Sequence, residues 1–449
     1  MDTGKLVIIG GNAGGMNAAT NIRRADKDRK IVVFEKGEYT SYAACGIPYF
    51  IADRVESAEK LIARSPEVFR EKQDIEVHIH HEVSQIDIAQ NRVRVRSLKD
   101  NSSFWESYDD LLIATGTLPF VPDIEGADAR GVFTLSSLQS GIDVYEYIRA
   151  NKPAKAVIVG GGYIGIEMAE ALLDRKLDVT LIDMEPQVMR SMDSDMAEII
   201  SSYMREEGVK VFLEEKLKSI ETDSKDNVSA IITNNQKIDT ELVILGLGTL
   251  PDSEIAGSAG IKLGANNAIR VNKRMETSAP HVWAAGDCAE SFHLLTEKQV
   301  FIALGTIATK HGQVAGNNIS GGNDEFPGVL GTAITKFNSL EISRTGLSEK
   351  EAKENGFICK AALIESTTAS GYYPSAEKIT VKLVAEERSG RLLGGQITGM
   401  KGSAKRIDII VSAILAKMTA RDLMFMDLSY APPFSQVWDP VQVAARKLI

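Results

Sequence analysis

Short apolar runs separated by glycine turns set the first pattern along the chain. Lys5-Leu6-Val7-Ile8-Ile9 is an uninterrupted apolar run of buried-strand type. It leads into Gly10-Gly11-Asn12-Ala13-Gly14-Gly15, and Met16-Asn17-Ala18-Ala19 then predicts a helix. A second strand is predicted at Lys30-Ile31-Val32-Val33-Phe34, ending at Glu35. The arrangement returns 150 residues later, with a strand at Ala156-Val157-Ile158-Val159, the turn Gly160-Gly161-Gly162-Tyr163-Ile164-Gly165, a helix from Ile166 to Arg175, and a strand Val179-Thr180-Leu181-Ile182 ending at Asp183. Leu111-Leu112-Ile113 runs into Ala114-Thr115-Gly116, and Val282-Trp283-Ala284 runs into Ala285-Gly286-Asp287. From about Phe326 the pattern changes. Lys378 to Val384 alternates like a half-exposed strand, Leu392 to Ile397 reads as its hairpin partner, and about Ala404 to Lys417 predicts a long amphipathic helix.

Each strand–glycine turn–helix–strand unit ends in an acid at the spacing of a dinucleotide fingerprint; Glu35 lies 20 residues beyond Gly15. In such a unit the first glycine allows the tight turn. The second lets backbone approach the pyrophosphate, and the third lets helix pack on strand. Free N–H groups and the positive end of the helix dipole face the phosphates, and the acid accepts from ribose hydroxyls. The second unit matches G-x-G-x-x-G in full; in the first, Asn12 stands where the second glycine belongs. Two copies, each with its acid, predict two dinucleotide sites in one chain. An acid at Asp183 repels a 2′-phosphate, which favours NADH over NADPH.

Composition narrows the class. The 449 residues are 44% apolar and 25% charged, as in an ordinary globular protein of several domains. No apolar run reaches the roughly 18 residues of a membrane helix. The chain enters a strand by Lys5, so no signal peptide is expected. A net charge of −10 argues against sequence-independent binding to nucleic acid or to an anionic membrane. Three cysteines make no disulfide framework and suit a reducing cytoplasm. No cluster suggests a metal.

Cys45 sits in Ser41-Tyr42-Ala43-Ala44-Cys45-Gly46-Ile47-Pro48-Tyr49, ten residues after Glu35. Pro48 in an early helical position would place Cys45 at a helix N-terminus, where the dipole favours the nucleophilic thiolate. The alternative is a small buried core cysteine. Cys288 and Cys359 read as structural. With no C-x-x-C and no second cysteine nearby, the redox partner of Cys45 must come from outside the chain.

Over its whole length the sequence resembles the pyridine nucleotide–disulfide oxidoreductases, in the single-cysteine branch that holds coenzyme A disulfide reductases, NADH oxidases and NADH peroxidases. The matching motifs are the two fingerprints, Ala114-Thr115-Gly116, Ala285-Gly286-Asp287 and Ser41-x-x-x-Cys45-Gly46-x-Pro48-Tyr49. The resemblance implies an α/β fold with two Rossmann-like dinucleotide-binding domains, one inserted in the other, and a C-terminal α+β dimerisation domain. The expected boundaries are 1–119 and 247–325 for the FAD-binding domain, 120–246 for the NAD(P)H-binding domain and 326–449 for dimerisation. FAD would lie against Gly10, Asn12, Ala13, Gly14, Gly15, Glu35, Lys36, Ala114, Thr115, Gly116, Gly286 and Asp287, with Asp287 on the ribityl chain. NADH, or NADPH, would lie against Gly160, Gly162, Tyr163, Ile164, Gly165 and Asp183.

Three features select among activities in the branch. The oxidases and peroxidases carry a histidine in the first glycine loop, and the chain has Ala13 there. The coenzyme A disulfide reductases carry two tyrosines that reach the partner subunit's cysteine; their motifs match Tyr372-Tyr373-Pro374 and Tyr430-Ala431-Pro432-Pro433-Phe434, making Tyr372 and Tyr430 the pair. Asn21-Ile22-Arg23-Arg24 and Ser41 match segments that contact coenzyme A, so Asn21, Arg24 and Ser41 are the candidate substrate ligands. Arg23, Arg24, Lys27, Arg29 and Lys30 also form a basic cluster suited to phosphate. The residue before the cysteine, often asparagine in those reductases, is Ala44. The expected activity is reduction of coenzyme A disulfide, persulfide or polysulfide by NADH through FAD and Cys45, in a homodimer. The alternatives are an NADH oxidase cycling Cys45 through sulfenic acid and a non-enzymatic flavoprotein redox sensor.

Overall fold

The computed structural model describes residues 4–449. They divide into two compact units, the first made of 4–120, 136–146 and 249–329, the second of 121–135, 147–248 and 330–449.

The first unit is built on a five-stranded sheet in the order Val282–Ala284, Asp110–Ile113, Lys5–Ile9, Lys30–Glu35, Glu76–Ile79, parallel throughout. The central strand is apolar from Leu6 to Ile9 because both faces are covered, as in other parallel sheets. Helix Ala13–Ala25 follows the first glycine turn and packs against helix Gly305–Ile319. Glycines set how closely that pair approaches. A Cβ on Gly312 would sit 2.3 Å from the Gly14 carbonyl oxygen, and one on Gly316 would sit 3.0 Å from that of Ala18.

The second unit repeats the plan. Its parallel sheet runs Lys210–Phe212, Asp178–Ile182, Lys155–Val159, Leu242–Leu245, Val132–Phe133, with helix Tyr163–Asp174 after the second glycine turn. The same unit holds an antiparallel five-stranded sheet in the order Ala333–Phe337, Leu340–Gly346, Leu392–Gly399, Lys378–Glu386, Cys359–Thr367.

Two local expectations need correction in this sheet. Lys378–Glu386 pairs with Leu392–Gly399 as expected, but it is buried from Ile379 to Ala385 rather than half-exposed. Its polar phase faces protein instead of water. Lys382, 5% exposed, is held by Asp195 at 2.8 Å and by Asp193 and Glu349 at 3.2 Å each. A buried ammonium is tolerated only when compensated in this way. The helix expected over Ala404–Lys417 is shorter. A 3-10 turn at Ala404–Arg406 precedes a helix at Ile407–Leu415, and Lys417 leaves it with φ +58°. Among the described residues no helix is long and apolar enough to cross a membrane.

Candidate active site

A close approach of backbone shapes the first glycine turn. Gly10 has φ +108°, and a Cβ there would lie 2.1 Å from the Ala114 carbonyl oxygen. Strand Asp110–Ile113 thus approaches the turn at a distance only glycine permits. Asn12, the departure from the fingerprint, has an accessible explanation. Its φ is −112°, which any residue adopts, and its side chain hydrogen-bonds the Tyr42 phenol, which also meets the Leu138 backbone. Burial, with Glu35 nearby, raises the Tyr42 pKa above the usual phenol value. Sequence reasoning missed Tyr42, although it lies inside the cysteine motif. Only the fold brings it to Asn12.

Glu35 holds this turn from the end of its strand. One carboxylate oxygen accepts from the Gly11 N–H at 2.7 Å and the other from the Gly37 N–H at 2.7 Å. The second fingerprint uses its acid the same way: Asp183 accepts from the Gly161 N–H at 2.6 Å and the Glu185 N–H at 2.9 Å. Each acid therefore fixes its glycine loop and keeps further lone pairs unused. Gly160 repeats Gly10, with φ +106° and a Cβ position 2.4 Å from the Gly246 oxygen. Gly162 differs: its φ is −79° and nothing lies within 4 Å of its Cβ position, so its lack of a side chain leaves open space in front of the helix. Tyr163, the next residue, is half-buried in the second unit near Arg344 and hydrogen-bonded to Ser191.

Around the first turn, Thr115 donates to the Asp252 carbonyl, and Lys36 pairs with the Asp252 carboxylate at 3.0 Å. Gly116 has φ +76° with open space at its Cβ position. Asp287 follows Gly286 (φ +86°), whose Cβ position lies 3.8 Å from the Gly14 Cα. One Asp287 oxygen is buried with no hydrogen-bond partner. Burial pushes this carboxyl up to about 6, offset in part by a backbone hydrogen bond with Leu304. A buried acceptor without a donor is what a ribityl hydroxyl would satisfy, so these residues fit a flavin dinucleotide. Nearby His311 is fully buried, accepts or donates to Ser291 at 3.2 Å and is pushed down to about 4 by burial.

The Asp287 shift gives a signed prediction. Its folded pKa lies above that of an unfolded aspartate, so the flavin-free protein loses stability as pH rises from about 4 to about 6. Asp287→Asn is expected to stabilise flavin-stripped protein by about 2–3 kcal/mol at pH 7.5 and by nothing at pH 4. In the same variant FAD affinity is expected to fall at least about tenfold, for loss of a charge-assisted acceptor. Thermal melts at the two pH values and flavin titration read both effects.

Cys45 lies in a 3-10 turn, Ala44–Gly46, that runs directly into the five-residue helix Ile47–Ile51, with Pro48 in its first turn. The expected helix N-terminus is thus two residues further on, and the helix is short. Cys45 is exposed, along with Ala43 and Ala44. The turn beneath it is clamped. Ala43 N–H donates to the Leu61 oxygen at 2.8 Å, Ala63 N–H to the Ser41 oxygen at 2.9 Å, and Ser41 N–H to the Gly11 oxygen at 2.9 Å. Leu61 fills the space beside Gly46, where a Cβ would come within 2.4 Å of it. Phe50 stacks on Tyr145 at 4.5 Å. This ties the sulfur-bearing turn to the first glycine loop through Ser41. Cys288 is fully buried, and Cys359 is half-buried at the start of a strand.

The candidate substrate residues separate. Asn21 and Arg24 lie on the helix that starts at the first glycine turn; Asn21 bonds Asn17 and Gln313 at 2.8 Å each, and Arg24 is exposed. The basic cluster breaks up. Arg23 donates to the Gln73, Lys27 and Asp74 carbonyls, and Arg29 is 4% exposed and paired with Asp110. Lys30 lies 3.8 Å from Glu76. Of the two cluster arginines that the sequence placed side by side, only Arg24 keeps its charge turned to solvent.

In the second unit the two tyrosine segments come together. Ser370 N–H donates to the Pro432 oxygen at 3.0 Å. Arg406, nearly buried, donates to the Thr368 and Phe434 carbonyls and pairs with Asp439 at 2.9 Å. Tyr372 is 77% exposed and Tyr430 45%, beside exposed Phe434 and Val437. Among the described residues no group of three or more side chains could hold a metal ion.

These features agree with what comparison with known proteins finds. The model of the pyridine nucleotide-disulphide oxidoreductases matches residues 4–312, and that of their dimerisation domain matches residues 332–441. The chain is 42% identical to a CoA-dependent NAD(P)H sulfur oxidoreductase of Pyrococcus furiosus over 449 residues, covering all of both chains. It is 32% identical to a coenzyme A disulfide reductase of Staphylococcus haemolyticus, covering 99% of each. Among solved structures, an NAD-dependent persulfide reductase from A. fulgidus superposes with a TM-score of 0.95 at 37% identity, over 99% of this chain and 82% of that one. Two glycine turns locked by their acids, an exposed cysteine tied to the first of them and a matched dimerisation domain place the chain in the pyridine nucleotide-disulphide oxidoreductase family.

Proposed function

We propose that the protein is an FAD-dependent NAD(P)H:coenzyme A disulfide or persulfide reductase in which Cys45 is the reacting sulfur. The observation that carries this reading is the exposed thiol on a turn clamped to the first dinucleotide loop. FAD, held by the first glycine turn, Glu35 and Asp287, would supply the two-electron chemistry that links the nicotinamide to the sulfur.

The chain's own residues do the rest. The Cys45 thiolate attacks one sulfur of coenzyme A disulfide, forming a Cys45–coenzyme A disulfide and releasing one coenzyme A thiolate. With coenzyme A persulfide the same attack releases hydrosulfide. Two electrons then cleave the mixed disulfide, returning the Cys45 thiolate and a second coenzyme A thiolate, which takes up a proton. Asp183 orients the adenosine ribose of NADH and disfavours a 2′-phosphate. Asn21, Arg24 and Ser41 hold the coenzyme A. Ala13 leaves the first loop without the imidazole that the oxidase alternative would use, which favours sulfur over oxygen as acceptor.

The matched dimerisation domain supports a homodimer. In it, Tyr372 and Tyr430 of one protomer reach Cys45 of the other and donate hydrogen bonds to the departing thiolate. Their joint anchoring through Ser370, Pro432 and Arg406 supports a common task. The domain bounds of this reading are 1–119 with 247–325 for FAD, 120–246 for NAD(P)H and 326–449 for the dimer. Three thiols without a disulfide suit a cytoplasmic setting.

Intact mass spectrometry of the purified protein tests the proposal. Anaerobic incubation with coenzyme A disulfide is expected to add one coenzyme A per chain, roughly 0.8 kDa, removable by NADH and by dithiothreitol. Addition of a single oxygen under air, with no coenzyme A adduct, would instead favour the oxidase.

A further inference from the structure

An open groove of about 400 Å³ lies on the surface of the first unit, lined by none of the residues assigned above. Its walls include Lys262, Arg270, Asn272, Glu276, Ser278 and Gln299. Lys262 and Arg270 face each other across a short antiparallel bridge. Leu263 pairs with Ile269, the Gly264 N–H donates to the Ala268 oxygen at 2.8 Å, and the Arg270 N–H donates to the Lys262 oxygen at 3.0 Å. Two cations directly opposite one another on paired strands repel. Among the described residues neither has an ion pair or a side-chain hydrogen bond. The one carboxylate in the wall does not relieve them: Glu276 accepts from Arg274 at 3.1 Å and from the Asn272 amide at 2.7 Å. Two of the remaining polar groups can donate. Ser278 Oγ accepts from the Lys262 N–H at 2.9 Å, which leaves its hydroxyl hydrogen to give, and the Gln299 amide is uncommitted.

We infer that this groove is a binding site for a phosphate-bearing small molecule, with the phosphate between Lys262 and Arg270 and its polar remainder against Ser278 and Gln299. The volume lies within the range of small-molecule sites. A guanidinium beside an ammonium, in a chain of net charge −10, is a local reversal of sign that suits a compact dianion. An anion between the two cations removes the repulsion that the ligand-free bridge carries. The site shares no residue with the proposed reaction, so it stands or falls independently of it.

Calorimetric titration of the FAD-loaded protein with inorganic pyrophosphate, in saturating NAD+ to fill the nucleotide site, tests the inference. One site per chain is expected. Arg270→Gln and Lys262→Gln should each weaken it at least about tenfold, and Arg388→Gln, an exposed cation elsewhere, should leave it unchanged. Pyrophosphate should also raise the melting temperature of the wild type but not of Lys262→Glu. Absence of saturable binding up to about 10 mM, or equal affinity in all the variants, overturns the site.

Discussion

Cys45→Ser is expected to abolish reduction of coenzyme A disulfide, with kcat/KM falling by at least about 10³-fold, as when a covalent nucleophile is removed from other enzymes. A serine hydroxyl at the same place is essentially never ionised near neutral pH and cannot form a disulfide. The turn is held by backbone hydrogen bonds from Ser41, Ala43 and Ala63 and by Leu61 against Gly46, none of which involves the sulfur. The variant should therefore fold, retain FAD and still bleach its flavin absorbance when NADH is added without oxygen. That separation is the point of the measurement. Loss of disulfide reduction with flavin reduction intact places the defect after hydride transfer. Full turnover by the serine variant would mean that another group carries the electrons.

Gly10→Ala is expected to cost about 3 kcal/mol or more of stability and to strip FAD from the protein. Two independent penalties meet at this residue. Its φ of +108° is strained for any L-residue, and the added methyl would lie 2.1 Å from the Ala114 oxygen and 2.7 Å from its carbonyl carbon. Backbone on both sides leaves no flexible side chain to yield. Gly162→Ala is the control, because φ is −79° and the space is open; it should keep wild-type stability and affect only nicotinamide dinucleotide binding. Urea titrations and the ratio of flavin to protein absorbance distinguish the two. Similar melting points for Gly10→Ala and Gly162→Ala would show that the close approach of the Ala114 strand to the turn is not needed.

The two fingerprints were legible because their causes are local. A strand, a turn requiring positive φ, a helix start and an acid at the end of the next strand all fall within a short stretch, and each leaves a residue type behind. Asn12 shows where local reading stops. It broke the pattern in the sequence, and its tolerance depends on a negative φ and on Tyr42, a residue thirty positions away that a tertiary contact supplies. The strand at Lys378–Glu386 misled for a similar reason. Alternation records polarity along a strand, but Lys382 faces three carboxylates of its own unit and not water. The basic cluster at the end of the first helix breaks up for the same reason. Arg23 and Arg29 are consumed by carbonyls and by Asp110 from distant segments, leaving Arg24 as the exposed arginine of the group.

The sequence alone determined that this chain carries two dinucleotide units, an isolated cysteine in a glycine–proline turn and a different architecture after Phe326, since apolar periodicity and glycine placement are properties of neighbours in the chain. Tertiary structure decided how the sulfur is presented and which charges remain available. Exposure of Cys45, the unsatisfied oxygen of Asp287 and the joining of the Tyr372 and Tyr430 segments through Arg406 all depend on residues far apart in the chain. Burial and hydrogen-bond satisfaction are set by whichever segments pack together, and no single stretch of sequence encodes its partner.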